Sequence, residues 1–488
     1  MNELAANELV GQRPTRVLKG RSRRIGESLI ACLAATGLLT GLGTAVVLTA
    51  GGGAASAATL ATVGSAPLIP IGSQRLGAPD ASSSLRFAVV LRPRSAASLE
   101  SYAARVSEPG SPIFHHFLAR GEFRFRFGPS SVAIANVEQA LRRDGLHLGS
   151  VTPDGLILLV SGSIGRIESA FHTRIETYRL PSGRIASANM SALKIPAAIA
   201  SSVQAVVGLS DLALPQSGAS PGRRLFTIAT TGRRSPRARE TGGPKACSTA
   251  SSYAAAYSAH TPAQLATAYS LNSLYAKGDL GKGVTVALFE LESYGASDVA
   301  AYQTCFGTHT SISNVKVAGG PPPGYGSGEA ALDIEDVVGI APEAKILVYE
   351  APNTTWTDVL ENYDKIAADD AAQVVSSSWG ECEAFLPSGE AASENTILEQ
   401  MAVQGQTFFG ITGDEGSTGC IQNGFATVNV SFNGSPDPTG LAVDPATETL
   451  YTTLRATGKV EVVNAVNGGF LSTVTVGSGP TAIAVDGT

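Results

Sequence analysis

The spacing of apolar and polar positions divides the chain into stretches of different period. A mostly apolar run from Leu29 to Ala50 has no period at all, and at this length it could span a bilayer, which needs about 20 residues. Arg13, Arg16, Lys19, Arg21, Arg23 and Arg24 precede it, and the small-residue stretch AASAA (54–58) follows. This order reads as an export signal cut near Ala57 or Ala58, with an uncleaved membrane anchor as the alternative. Either reading places the remainder outside the cytoplasm, where cysteines can oxidise.

After a Ser/Ala/Pro/Gly-rich linker (59–84), periods of two and of 3.6 alternate. LRFAVVLRP is a strand stopped by proline, and SAASLESYAARVSEP is a helix started by serine. A helix follows from Ser131 to Arg143, then a hairpin (147–162), a short helix (163–172) and a second hairpin (173–189). This succession predicts an α+β sandwich of the ferredoxin-like kind over residues 85–212. Residues 213–246 are a basic linker in which the pairs Arg223-Arg224 and Arg233-Arg234 invite proteolytic maturation.

From Cys247 the strands become continuously apolar: VTVALFEL, KILVYEA (345–351), QVVSSSWG (373–380) and TFFGITGDEGSTGC (407–420). Helical runs separate them. Buried strands alternating with helices predict a doubly wound parallel sheet over 247–420, with its chemistry at the C-terminal strand ends. Beyond it, PTGLAVD (438–444) recurs as PTAIAVD (480–486), with short alternating strands between. A repeat of about 42 residues is that of β-propeller blades, so residues 421–488 are expected to be partial propeller repeats. One blade cannot close a propeller, which needs at least about four. The chain is therefore expected to be a fragment of a longer protein.

Composition narrows the function. With a net charge of −6 and only 16% charged residues, nucleic acid is not an expected partner. Of five cysteines, Cys32 lies in the apolar run. The other four allow three pairings, of which Cys247–Cys305 and Cys382–Cys420 are expected from their places around the helices. His115-His116 has no second ligand pair nearby and reads as packed or surface histidine. The chemistry concentrates in GSGEAALDIEDVVGIAP (326–342), where Glu329 and Asp333 stand four residues apart on one helix face. In water such a pair only repels, as part of a solvated acidic face with Glu335 and Asp336. Buried together, the two carboxyls share a proton and one pKa rises, which makes a general base that works in acid.

Several segments resemble, in order, the sedolisin (serine-carboxyl peptidase) family. SPIFHHFLARGEF (111–123), ESAFHTRIETY (168–178) and IPAAIASSVQAVVGLSDL (195–212) are similar to its activation prodomain. TPAQLATAY, LGKGVTVALFEL, GEAALDIEDVVGIAP, VVSSSWG and TGDEG are similar to its peptidase domain. The propeller repeats resemble the YVTN type. The family resemblance implies a subtilisin-like fold and a secreted, acid-acting endopeptidase zymogen. Its substrates would be proteins or peptides, its prodomain its own inhibitor, and calcium its cofactor. It makes Glu329 the general base, Asp333 its supporting carboxylate and Asp414 a protonated oxyanion donor, with Glu290 and Trp379 extending the network. The family's nucleophile, the Ser of a Gly-Thr-Ser motif, is absent from this chain; Ser417 is too close to Asp414 to replace it, and the calcium site is absent too. The alternative reading is a catalytically inactive surface scaffold whose propeller binds partners.

Overall fold

The structure, a computed structural model, describes residues 59–217, 243–257, 259–324, 326–413, 437–444, 447, 449–465, 469–481 and 483. The export segment, the basic linker, Asp414, Ser417 and Cys420 lie outside the described residues.

The N-terminal sheet is built from β1 (Ser84–Leu91), β2 (His147–Val151), β3 (Ile157–Ser163) and β4 (Val203–Val207), antiparallel in the order β2-β3-β1-β4. Helices α1 (Ala96–Ser107), α2 (Ser131–Arg143) and α3 (Ile164–Phe171) connect them. The serine expected to start α1 does so, Ser95 Oγ accepting from Ser98 N at 3.3 Å, and α2 is capped by Ser130, whose Oγ accepts from Ala133 N at 3.1 Å. The second hairpin (Ile175–Arg179 and Ile185–Asn189) carries Gln74–Gly77 as a third strand, and Leu60–Val63 pairs with Leu193–Pro196.

β1 explains why LRFAVVL shows no polar alternation. Successive side chains of a strand point to opposite faces. Phe87, Val89 and Leu91 pack against Val137, Leu141, Ile167 and Phe171 of the sheet's own helices. Ala88 and Val90 share a second core with residues of the downstream α/β layer, among them Trp356, Val359 and Met401. The N-terminal sheet is thus covered on both faces.

The α/β layer comprises β5 (Gln216–Ser217), β6 (Thr285–Glu290), α4 (Ala296–Phe306), β7 (Ser311–Lys316), α5 (Glu329–Ile340), β8 (Lys345–Glu350), α6 (Trp356–Asp369), β9 (Val374–Ser377), β10 (Trp379–Gly380), α7 (Glu390–Gln404) and β11 (Thr407–Gly410). The main sheet is fully parallel in the order β7-β8-β6-β9-β11. On central β6, Val286 and Leu288 pack with Val299 of α4 and with Ile334 and Val338 of α5. Ala287 and Phe289 face the opposite core, with Tyr363 stacked on Phe289 at 4.0 Å between ring centroids.

Three features differ from the pattern read in the sequence. The expected linker 59–84 holds the strands Leu60–Val63 and Gln74–Gly77, short segments that complete other sheets and carry little apolar signal of their own. SISNVK forms the edge strand β7, which has no continuous apolar signal because an edge strand is paired on one side only and its outer positions are exposed. QVVSSSWG is not one strand: β9 ends at Ser377, and Trp379–Gly380 turns away to pair antiparallel with β5. At the C-terminus, β12 (Pro438–Asp444), β13 (Thr449–Leu454), β14 (Lys459–Asn464) and β15 (Phe470–Thr475) form an antiparallel four-stranded meander. Cys247 is bonded to Cys305, and Cys382 also takes part in a disulfide.

The contact between the N-terminal sheet and α6 is close and polar as well as apolar. Thr357 Oγ1 donates to Val207 O at 3.2 Å. Gly208 has φ +99°, and a Cβ there would lie 2.1 Å from Thr357 Oγ1, so only glycine fits. Arg86 reaches Asp358 at 3.4 Å and also bonds Glu361. Deeper in, Asp154 (3% exposed) faces Asp364, and Thr152 Oγ1 lies 2.7 Å from Asp154 Oδ1 and 3.4 Å from Asp364 Oδ1. Burial, reinforced by Asp154, holds the Asp364 carboxyl well above the usual range. A group whose folded pKa is raised stabilises the fold at low pH and loses that contribution as pH rises through the folded value. Asp364→Asn, which cannot ionise, should therefore flatten the fall in melting temperature between pH 5 and pH 8; thermal unfolding at both pH values checks this.

Candidate active site

Glu290 ends β6 and is fully buried. Glu329 is the first residue of α5 and is 4% exposed, and Asp333 lies one turn further on. Trp379 stands just past the end of β9, next in the sheet to β6. The C-terminal ends of two adjacent parallel strands therefore meet the N-terminus of one helix.

The carboxyls are linked. Trp379 Nε1 donates to Glu290 Oε2 at 2.9 Å, and Ser378 Oγ donates to Asp333 Oδ1 at 2.9 Å. Asp333 is hydrogen-bonded to both Glu290 and Glu329. The remaining oxygens, Glu290 Oε1 and Asp333 Oδ2, are buried without an N–H or hydroxyl donor from any other residue. Both facts hold together if a proton sits between the two carboxyls. Burial, with Asp333 and Glu329 adding negative charge, pushes Glu290 well above the carboxylate range. Burial also raises Asp333, while its bonds from Ser378, Glu290 and Glu329 pull it back down. The Glu290–Asp333 bond raises Glu290 and lowers Asp333, so the proton is favoured on Glu290. Asn362 fixes the strand ends from below, its Nδ2 donating to Glu290 O at 3.1 Å and Tyr349 O at 3.0 Å.

The structure brings together Glu290, Glu329, Asp333 and Trp379. Asp414 lies outside the described residues, as does Cys420 of the expected Cys382–Cys420 bond. Glu335, read as a possible solvated face with Asp336, is half-buried and held at about 7 by burial, with Asp298 and Asp336 adding to the shift.

Sequence reasoning missed Glu292. Its Oε1 accepts from Gly328 N at 3.1 Å and Ala330 N at 3.2 Å, and its Oε2 from Ser327 N at 2.5 Å. This carboxylate caps the helix that presents Glu329. The signal was present: the residue before α5 is Gly328, with φ +105° and no side chain to cap with, so a donor-satisfying group must come from elsewhere. Gly326 is required by the same contact, since a Cβ there would lie 2.5 Å from Glu292 Cδ. Ser378 was also missed, lying unremarked inside SSSWG.

Among the described residues no group of three or more His, Cys, Asp or Glu side chains is placed to hold a metal ion. The calcium implied by the resemblance has no donor set here. No described helix is long and apolar enough to cross a membrane.

Residues 72–212 match the family model described as "Pro-kumamolisin, activation domain". The chain is 29% identical to xanthomonalisin of Xanthomonas sp. (strain T-22) over 420 residues, covering 78% of this chain and 47% of that protein. It is 28% identical to sedolisin of Pseudomonas sp. (strain 101), covering 75% of this chain and 60% of that protein. It is 30% identical to kumamolisin of Bacillus sp. (strain MN-32), covering 70% of this chain and 59% of that protein. The chain thus spans about half to three fifths of the length of the curated relatives it matches, and its resemblance is to serine-type peptidases of the sedolisin kind preceded by an activation domain.

The buried acids carry two predictions. Glu290 and Glu390 are pushed well above the usual range, Glu390 by burial and by Glu394, and Glu394 is held at about 7 by its own burial. These groups favour the fold while protonated, so stability should fall as pH rises above the ordinary carboxyl value of about 4.5 towards their raised values. Calorimetry should give a higher melting temperature at pH 5 than at pH 8. Glu292→Ala should cost about 1 kcal/mol, the usual value of a lost helix cap, measured by denaturant unfolding at pH 5.

Proposed function

We propose that this chain is the prodomain and N-terminal part of the catalytic domain of an acid-acting serine-carboxyl endopeptidase, made as a zymogen and working outside the cytoplasm. The observation that carries the reading is the buried, proton-sharing relay of Glu329, Asp333 and Glu290 at the ends of parallel strands, which contains no histidine. An imidazole base is protonated near pH 4, since its ordinary pKa is about 6.5. A carboxylate keeps a free lone pair there.

In this mechanism Glu329 takes the proton of a serine hydroxyl as the oxygen attacks the scissile carbonyl. Asp333 accepts a hydrogen bond from the newly protonated Glu329 and orients it. Glu290, neutral and held by Trp379, keeps Asp333 from being neutralised elsewhere. The helix N-terminus at Glu329 favours its charged form before the attack. Asp414, protonated, would donate to the developing oxyanion; collapse of the tetrahedral intermediate returns the proton from Glu329 to the leaving amine. The family's Gly-Thr-Ser nucleophile motif is not among the 488 residues.

The order β2-β3-β1-β4 supports reading the N-terminal sheet as a ferredoxin-like prodomain. The burial of one of its faces against α6 and α7 supports its acting as an intramolecular inhibitor. The four-stranded meander after residue 437 supports one propeller blade inserted before the nucleophile. The Cys247–Cys305 bond supports an oxidising location.

The test is hydrolysis of peptides at pH 3–5 and pH 8 by the 488-residue chain and by the gene product extended past Thr488. The extended product should be active in acid only and lose at least about a hundredfold in kcat on Glu329→Gln, while the 488-residue chain should be inactive. Acid hydrolysis by the 488-residue chain that disappears with Glu329→Gln would show the nucleophile to lie within it. An extended product unaffected by Glu329→Gln would remove Glu329 as the base.

A further inference from the structure

Helix α5 carries two further acids, Glu335 and Asp336, that the mechanism does not use. Both line a cavity of about 750 Å³. That is within the ~300–1,000 Å³ of ordinary ligand pockets. Its other walls come from α4, from the helix Ser248–Tyr257 and from the start of the helix Pro262–Ala268. The Cys247–Cys305 bond, itself part of the wall, ties the first two together.

Most of the lining is apolar or aromatic: Tyr253, Leu265, Tyr302, Phe306 and Leu332. Tyr302 and Phe306 stack at 4.3 Å between ring centroids. Tyr253 is 60% exposed and Leu332 47%, so the rim holds apolar surface that a ligand would cover.

The charge of the lining is one-sided. Asp298 joins Glu335 and Asp336, no lysine or arginine stands among the lining residues, and His260 is the one basic side chain among them. Asp298 accepts from Ser297 Oγ at 3.3 Å. Among the described residues neither the Glu335 nor the Asp336 carboxyl has a hydrogen bond or an ion pair. Burial, with Asp298 and Asp336 adding negative charge, holds Glu335 at about 7, and burial, with Asp333, also raises Asp336. The acids thus repel one another in a half-buried place with no described cation to offset the cost.

The cation that fits is not a metal ion, since among the described residues no three acids are placed to share one. A delocalised cation on an apolar stem meets both the charge and the walls. Guanidinium is planar and weakly hydrated, stacks on aromatic faces and bonds carboxylates through several N–H groups at once.

We propose that this cavity binds an arginine side chain carried on an apolar peptide segment. The guanidinium sits among Glu335, Asp336 and Asp298, and the stem and its apolar neighbours lie against Tyr302, Phe306 and Leu332. The site shares no residue with the catalytic cluster, and the proposal stands or falls apart from the peptidase reading.

The experiment is calorimetric titration of the full chain at pH 8, above the value of Glu335. The probes are the peptide acetyl-Leu-Arg-Leu-amide and its lysine and citrulline counterparts; citrulline keeps the shape of arginine without the charge. The arginine peptide should bind at least about tenfold more tightly than the citrulline peptide and about threefold more tightly than the lysine peptide. Glu335→Gln and Asp336→Asn should each weaken the arginine peptide about tenfold while thermal unfolding shows the variants folded. Equal affinities for arginine and citrulline, a lysine peptide that binds as well as arginine, or no binding would overturn the proposal in the parent chain alone. Unchanged affinity in both variants would overturn it as well.

Discussion

The proton between Glu290 and Asp333 is the constraint on which the site depends. Two carboxyls buried at the ends of packed strands cannot both be charged without a large desolvation and repulsion cost. Trp379 and Ser378 each satisfy one oxygen, and Glu290 Oε1 and Asp333 Oδ2 are buried without a donor from outside the carboxyl cluster. In the proposed mechanism Glu329, at the helix N-terminus, carries the charge and acts as base. Glu292 holds that terminus in place from the loop after β6, so one strand end supplies both the neutral acid and the cap.

The same economy of burial ties the N-terminal sheet to the α/β layer. β1 gives alternate residues to two cores, so the sheet cannot leave α6 and α7 without exposing Ala88, Val90 and their neighbours. Arg86 pairs with Asp358 and Glu361 across the contact, and burial beside Asp154 raises the Asp364 carboxyl within it. The contact delivers residues 213–217 to the edge of the site.

Much of this was legible in the sequence because burial leaves a period. The continuous apolar strands VTVALFEL and KILVYEA fixed the parallel sheet, and the four-residue spacing of Glu329 and Asp333 put both on one helix face. Glu290 and Trp379 were named only through resemblance, since contact between residues 89 apart leaves no local signal. β7 was missed because an edge strand alternates weakly, and the break in QVVSSSWG because a turn after Ser377 changes the partner and not the composition. Glu292 was missed because a cap supplied from a distant loop lies outside the helix's own motif. The roles of Asp414 and of a serine nucleophile rest on resemblance alone.

The account's central claim is that Glu290, Asp333 and Glu329 titrate as one proton-sharing unit. Carbon-13 NMR of the side-chain carboxyls, followed from pH 3 to pH 9 in the full chain and in Asp333→Asn, addresses it directly. The account predicts that Glu290 keeps its proton well above the ordinary carboxyl range of about 4, and that its titration moves when Asp333 is replaced. Three independent transitions near 4, unchanged by Asp333→Asn, would contradict it.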